Sequence, residues 1–411
     1  MFEVELRCIE CGKRFDLRDH YLCDRCQGIL EVQYDYSSLE GKPAEQVVPA
    51  PAAGIWRYQS LLPVRSLSSV VSLYEGGTPL IHARNLGRAI GHDCLYCKDE
   101  TRNPSGAFKD RPVSVGVSKA VELGFDTVTT ASSGNGAASL SIYAAKAGLR
   151  CIVFVPEKTP IAKVAHAVTA GATVVRVKGD YSNSYALAKA ASARYRWMNI
   201  TTTFLNPYTL EGDKTVAFEL YHQLDGGAPD WIIVPTGAGP LLYGIYKGFE
   251  ELRRLGLLSK APRMAAVQAE GCQPIVRAFE NSRPVAAWEA VHTVASAIAD
   301  PLRGYEKDGD LVVRTIRKSN GKAVSASDGQ IIESVKELGE REGIFVEPAA
   351  AASLSALKKL LKEGSIRDKE KVVCLLTGHG LKDPQSAIKA MEIPQVEPGL
   401  EGLEKLDLGN R

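Results

Sequence analysis

Between residues 94 and 377 the sequence alternates short β-rich apolar runs with alanine-rich stretches of helical period, and this alternation leaves few architectures open. The strand candidates are 94–98, 127–131, 151–155, 173–177, 231–235, 264–268 and 372–377; helical stretches at 137–147, 161–170, 185–194 and 241–255 lie between them. Strands that alternate with helices predict parallel sheets covered on both faces, an α/β protein. In such folds chemistry gathers where the carboxyl ends of strands open into loops. A chain of 411 residues exceeds what one core organises, so two substantial domains and a small appendage are expected.

Four such junctions carry functional residue types. The segment Asn103-Pro104-Ser105-Gly106-Ala107-Phe108-Lys109-Asp110-Arg111 is a turn ahead of the apolar-periodic residues Val113, Val117, Ala120 and Val121, so Lys109 stands at a helix entrance. An amine there carries charge, binds an anion or, once desolvated, forms a Schiff base with an aldehyde. Alone, a lysine between Phe and Asp is most often an ordinary solvated residue. At Thr129 to Ala138 a strand end passes through a Ser/Gly/Asn loop into a helix. Its backbone N–H groups, with the hydroxyls of Ser132 and Ser133, suit a carboxylate, and the Asn135 amide can donate to a neighbouring oxygen; the plainer alternative is an N-capped helix. At Val234 to Leu241 a small-residue loop offers a nest for phosphate from Gly237, Ala238, Gly239 and Leu241, with Pro240 removing one donor. It is not G-x-G-x-x-G and lacks an acidic ribose clamp, which argues against a dinucleotide. At Leu376 to Asp383 the Thr377 hydroxyl can meet a heteroaromatic nitrogen, or simply satisfy backbone, and His379 reads as a supporting residue. A Schiff-base lysine, a carboxylate loop, a phosphate nest and a strand-end hydroxyl together outline pyridoxal phosphate bound to an amino acid. A ring nitrogen facing a hydroxyl is not held fully protonated, which favours elimination and replacement over transamination.

The amino-terminal stretch holds two C-x-x-C knuckles, Cys8/Cys11 and Cys23/Cys26, separated by 11 residues with strand-like flanks. Four thiolates at this spacing suit a structural zinc ribbon with no open coordination position; a redox pair is the alternative. The pair Cys94/Cys97 lies alone in an apparent strand and reads as structural. Nine cysteines without a disulfide-like framework, no signal-peptide layout and no membrane-length apolar run point to the cytoplasm. A formal net charge of +2 leaves no nucleic-acid or membrane footprint, so small-molecule partners are favoured.

The combined motifs resemble the fold type II, tryptophan synthase β-like pyridoxal phosphate enzymes, and within them the threonine synthase family. The resemblance covers most of the chain: the zinc knuckle, Glu75-Gly76-Gly77-Thr78-Pro79-Leu80, the Lys109 segment, Ser132 to Asn135, Asn206-Pro207 with Leu210-Glu211-Gly212, Gly343 to Pro348, and Thr377 to Asp383. It implies that Lys109 carries the cofactor and shuttles the α-proton, beside Phe108. Asn135 would meet the pyridine 3′-oxygen, Thr377 the ring nitrogen and the Gly237 loop the cofactor phosphate, while Ser132, Ser133 and Asn135 take the substrate carboxylate. The implied reaction converts O-phosphohomoserine and water to threonine and phosphate, and the implied assembly is a homodimer. Three features depart from the family pattern: Thr209 stands where an arginine usually grips the substrate phosphate, Phe204 where a polar residue is common, and the cofactor loop reads Gly237-Ala238-Gly239-Pro240 where Gly-Asn-Ala-Gly is frequent. Lys163, Arg111, Lys214 and Arg303 are the candidate replacements for the arginine. A serine/threonine dehydratase or β-replacement enzyme therefore stays open, whereas a non-catalytic ribbon protein would need neither Lys109 nor the glycine loops. The expected layout is a ribbon at 1–34, a linker or arm at 35–70, a larger cofactor-binding domain from 71–97 and 207–393, a smaller one at 98–206, and a peripheral tail at 394–411.

Overall fold

The computed structural model describes residues 3–37, 39–42, 44–49, 54–388, 393–396, 398 and 400. Pro43, Pro51, Ala52 and Ala53 of the expected linker, and most of the expected tail, lie outside the described residues. The α/β architecture is built on two parallel sheets. The larger has six strands in the order Lys322–Ala326, Arg263–Ala269, Trp231–Pro235, Val372–Leu376, Leu95–Asp99 and Leu80–His82, parallel throughout except for the last, antiparallel pair. The smaller has four parallel strands in the order Thr173–Val177, Arg150–Pro156, Thr127–Ala131 and Met198–Asn199. Every residue of Trp231–Pro235, Val372–Leu376 and Thr127–Ala131 is buried, as central parallel strands covered by helices on both faces must be.

The amino-terminal sheet is antiparallel, with Glu3–Cys8 between Arg14–Phe15 and Leu30–Tyr34. In Leu30–Tyr34 the residues Leu30, Val32 and Tyr34 are buried and the two between them half-buried, so one face of the sheet turns inward. That face has no core of its own. Leu6, Leu30, Val32 and Tyr34 belong to one apolar cluster that continues through Phe218, Phe249 and Val234 of the main body. The stretch expected as a linker or arm is also packed in its described part: Ile55, Tyr58, Leu61, Leu62 and Val64 are buried, and Tyr58 meets Phe218 edge-on at 5.2 Å. The described apolar residues of this segment close over the body.

A fully buried ion network lies under the helix that follows Lys109. The Arg111 guanidinium holds Glu100 at 2.7 Å and Glu219 at 2.7 Å, and Lys98 reaches Glu219 at 2.6 Å. Thr78 donates to Glu100 at 2.7 Å, tying the Gly76-Gly77 loop to the same network. Buried charges of this kind hold their geometry because every partner is needed to offset the loss of water.

Candidate active site

Lys109 directly precedes the helix Asp110–Glu122. Its segment is fastened to the end of a central strand: Phe108 donates its N–H to the Thr377 carbonyl at 3.0 Å, and His379 donates to the Gly106 carbonyl at 2.9 Å. The lysine and the strand-end hydroxyl, 268 positions apart in sequence, are thereby held side by side. Lys109 Nζ lies 4.7 Å from the Phe108 ring centroid and donates to the Thr202 carbonyl at 3.3 Å. Burial lowers its pKa to about 8, although Asp213, Asp300 and Glu347 pull the other way.

Around this amine lies a cavity of about 520 Å³. The smaller sheet contributes Ser132, Ser133, Gly134, Asn135 and Thr201 to Thr203; the larger contributes Gly237 to Leu241, Asp300, Glu347 and Thr377. All the cofactor- and substrate-site candidates read from the sequence therefore border one space. The helix Asn135–Ala147 opens from the carboxyl end of Thr127–Ala131, and the amides of Ser133, Asn135 and Gly136 have no partner among the described residues. On the opposite wall the helix Pro240–Arg254 opens from Trp231–Pro235, and the amides of Gly237, Ala238, Gly239 and Leu241 are likewise unpartnered. Gly239 has φ 96°, and a Cβ there would come within 2.2 Å of Val312 Cγ2. Only glycine lets the chain turn at this point and point its amides at an anion.

The donor set fits pyridoxal phosphate. A partly deprotonated amine suits the aldehyde, a nest of free amides at a helix N-terminus suits the phosphate, and the Thr377 hydroxyl, which has no partner among the described residues, suits the ring nitrogen. The Asn135 side chain donates to both oxygens of Glu347, at 3.0 and 3.2 Å. A Cβ on Gly378 would fall 2.4 Å from Glu347 Oε1, so that glycine makes room for the pair. Burial pushes the Glu347 carboxyl up to about 7, against the Asn135 bond.

Sequence reasoning gave no role to several residues that border the cavity. Glu347 lies within Gly343 to Pro348 and Lys382 within Thr377 to Asp383, motifs that carry the resemblance without giving either residue a role, and Asp300 and His166 carry no local signature. Asp300 accepts from Tyr305 Oη at 2.6 Å and from the Leu302 N–H at 2.9 Å, and burial raises its pKa. Among the four candidate phosphate cations only Lys163 borders the cavity, with Ser296 Oγ at 3.1 Å and Asp383 at 3.4 Å. Arg111 is spent on Glu100 and Glu219, Lys214 on Glu211 and Glu251, and Arg303 on Asp180. Thr209 is buried and donates to the Asn206 carbonyl at 2.8 Å, while Phe204 is buried edge-on to Tyr243 at 5.7 Å. Neither borders the cavity, and no arginine does so among the described residues.

The four amino-terminal cysteines form a second cluster. The ligand atoms of Cys8, Cys11, Cys23 and Cys26 lie within 4.8 Å of one another, with Cys8 to Cys26 at 3.5 Å and Cys11 to Cys23 at 3.6 Å. A tetrahedron with metal–sulfur bonds of 2.3 Å has edges of about 3.8 Å, so the cluster suits zinc. A Cβ on Gly28 would meet Cys8 Sγ at 2.9 Å, which leaves the sulfurs their space.

A profile described as pyridoxal-phosphate dependent enzyme matches residues 71–378. The chain is 42% identical to a threonine synthase of Methanocaldococcus jannaschii over 390 residues, covering 94% of this chain and 95% of that one. It is 42% identical to a threonine synthase of Methanosarcina acetivorans over 395 residues, covering 95% of each. Among solved structures, maize serine racemase superposes with a TM-score of 0.67 at 22% identity, covering 80% of this chain and 94% of that one. A threonine deaminase of Solanum lycopersicum gives 0.65 at 19% identity, covering 86% and 99%. These two likenesses speak to the fold alone.

Proposed function

We propose, from the premise that this chain belongs to the pyridoxal-phosphate dependent enzyme family, that it is a threonine synthase, a lyase converting O-phospho-L-homoserine and water to L-threonine and phosphate. The observation that carries this reading is 42% identity to two threonine synthases over nearly their whole length. The arrangement of Lys109 between two loops of free amides supports it chemically.

When bound, pyridoxal phosphate supplies an aldehyde for the substrate amine and a ring that spreads negative charge from the substrate Cα. In our reading Lys109 holds the cofactor and then moves protons at the substrate Cα and Cβ, a task suited to an amine with a pKa of about 8. Gly237, Ala238, Gly239 and Leu241 hold the cofactor phosphate, Thr377 faces the ring nitrogen and Phe108 lies beside the lysine. Asn135 turns its amide from Glu347 toward the pyridine 3′-oxygen, and shares the substrate carboxylate with Ser132 and Ser133. For the substrate phosphate we assign Lys163, with Ser296, Lys382 and His166 around it, in place of the absent arginine. In the same reading a division into domains at 71–97 with 207–393 and at 98–206 would put these groups on opposite walls of a cleft, and closure of the smaller domain would exclude water until the addition step.

We further infer that Cys8, Cys11, Cys23 and Cys26 hold a structural zinc ion, that the enzyme works as a homodimer and that it resides in the cytoplasm. No helix among the described residues is long and apolar enough to cross a membrane.

The lack of an arginine among the described residues that border the cavity, and the Asp383 partner of Lys163, favour one alternative: a dehydratase or β-replacement enzyme acting on an amino acid without the phosphate. One assay separates the two. Cofactor-loaded protein is offered O-phosphohomoserine, threonine, serine and O-phosphoserine while phosphate, threonine and keto acid are followed together. Equal release of phosphate and threonine from O-phosphohomoserine alone is expected. Keto acid from serine or threonine, without turnover of O-phosphohomoserine, transfers the assignment to the alternative.

A further inference from the structure

A second cavity, of about 270 Å³, lies where the cysteine-rich module meets the smaller sheet. Asp19 and Tyr21 border it from the module; Lys189, Arg196, Trp197 and Asn199 border it from the helix Tyr181–Tyr195 and the edge strand Met198–Asn199. Three observations mark it as a binding site. The first is charge: Asp19, Lys189 and Arg196 are exposed, and none of their side chains makes a hydrogen bond or ion pair among the described residues. The second is an orphaned donor. Asn199 is 1% exposed, its Oδ1 accepts the Thr201 N–H at 2.9 Å, and its Nδ2 is buried with no partner. A buried amide donor normally has an acceptor, so a ligand oxygen would complete it. The third is the backbone of Arg196, which ends the helix in the left-handed region at φ 55° and ψ 47°. Non-glycine residues adopt that conformation at a cost, and such residues concentrate at functional positions.

Two unpaired cations and one unpaired carboxylate around the rings of Tyr21 and Trp197 match a zwitterion with an apolar body. We propose that this cavity binds a free α-amino acid, with its carboxylate on Lys189 and Arg196, its ammonium on Asp19 and its side chain against Trp197 and Tyr21. An inorganic phosphate would face Asp19 uncompensated, and a simple amine would face the two cations. The site is wired to the catalytic cavity over a short stretch of chain. Asn199 receives the Thr201 N–H, its carbonyl accepts the Asn206 side chain at 2.8 Å, and the Thr202 carbonyl accepts from Lys109 at 3.3 Å. An occupant that draws on Asn199 therefore changes the wall formed by Thr201 to Thr203, giving the amino acid a regulatory hold on turnover.

The test is a thermal-shift screen of the common L-amino acids on cofactor-loaded enzyme, followed by equilibrium dialysis of each amino acid that raises the melting temperature. At least one is expected to bind at two molecules per chain, one of them in the catalytic cavity. Arg196→Glu and, on the regular helix, Lys189→Glu should keep the basal turnover, weaken the second site by at least about tenfold and leave one molecule per chain. The N-acetylated form of the same amino acid should fail at the second site in the wild type. One molecule per chain in every protein, or two in every protein with equal affinity, overturns the proposal.

Discussion

The chemistry assigned to this chain hangs on how water is kept from a few side chains. Lys109 is the clearest case, because burial outweighs three acidic neighbours and leaves its amine with a pKa of about 8. Only the neutral amine attacks an aldehyde, so its availability should govern how fast apoenzyme takes up cofactor. The rate constant of uptake, followed by the rise of visible absorbance after adding pyridoxal phosphate, is expected to climb about tenfold per pH unit below pH 8 and to level off above it. A profile that keeps climbing toward pH 10 would belong to an unperturbed lysine and refute the assignment. Lys163 provides the second test. Replacing it with Met removes the one of the four cations proposed from the sequence that borders the cavity, and a charge-assisted hydrogen bond contributes about 1.5–3 kcal/mol. The loss in kcat/KM for O-phosphohomoserine should accordingly be about 10- to 150-fold, carried mainly by KM. Unchanged kinetics would mean that the phosphate lies elsewhere.

Elements turn these side chains into a site, and the loop from Gly237 to Leu241 illustrates how. A strand, a glycine in the left-handed region and a proline at the first helical position aim a row of unpartnered amides into the cavity. In the Gly239→Ala protein a methyl group would lie within 2.2 Å of Val312 Cγ2, on a backbone that costs a β-carbon about 1–2 kcal/mol before overpacking adds about 1–3 kcal/mol. We expect at least a tenfold weaker hold on the cofactor, read by dialysis against pyridoxal phosphate, together with a lower melting temperature; a variant that holds it normally would show that the amides do not carry the phosphate. Such junctions were legible in the sequence because strand, turn residues and helix follow one another within about ten positions. The central strands were legible for the same reason, as continuous apolar runs. The edge strands Leu80–His82 and Met198–Asn199 were not, since three and two residues are too few to print a period, and Lys322–Ala326 was not, since its buried residues are small or polar (Ala, Val, Ser, Ala). The roles of Glu347 and Lys382, which sit inside the motifs Gly343 to Pro348 and Thr377 to Asp383, and of Asp300, which sits in none, were beyond reach for a different reason. Packing brings them to Lys109 from segments nearly 200 or more positions away, and no local pattern encodes that meeting.

At the scale of the whole molecule, the cysteine-rich module behaves as part of the body. Lys247 reaches the Val32 carbonyl at 2.9 Å and Glu211 at 2.7 Å, Lys214 lies 2.6 Å from Glu211, and Tyr34 donates to Glu211 at 2.9 Å. Burial alone would raise the Glu211 pKa, but the two lysines hold it low, so this carboxylate stays charged between module and body. On its other side the module touches the smaller sheet, where the Asn199 N–H donates to Tyr21 Oη at 2.8 Å, and Tyr208 Oη donates to the Arg18 carbonyl at 2.6 Å. A module that shares its apolar cluster and a buried ion network with the body cannot melt by itself without stranding charge. If the four cysteines hold zinc as proposed, a chelator, or replacing Cys23 with Ser, is therefore expected to lower one cooperative calorimetric transition by about 5 °C or more, with no separate early peak. The same treatment should weaken cofactor retention, because the helix Thr209–Asp213 that carries Glu211 also carries Asp213, whose charge acts on Lys109. Two resolved transitions, the later one unmoved and with cofactor still bound, would make the module an independent attachment.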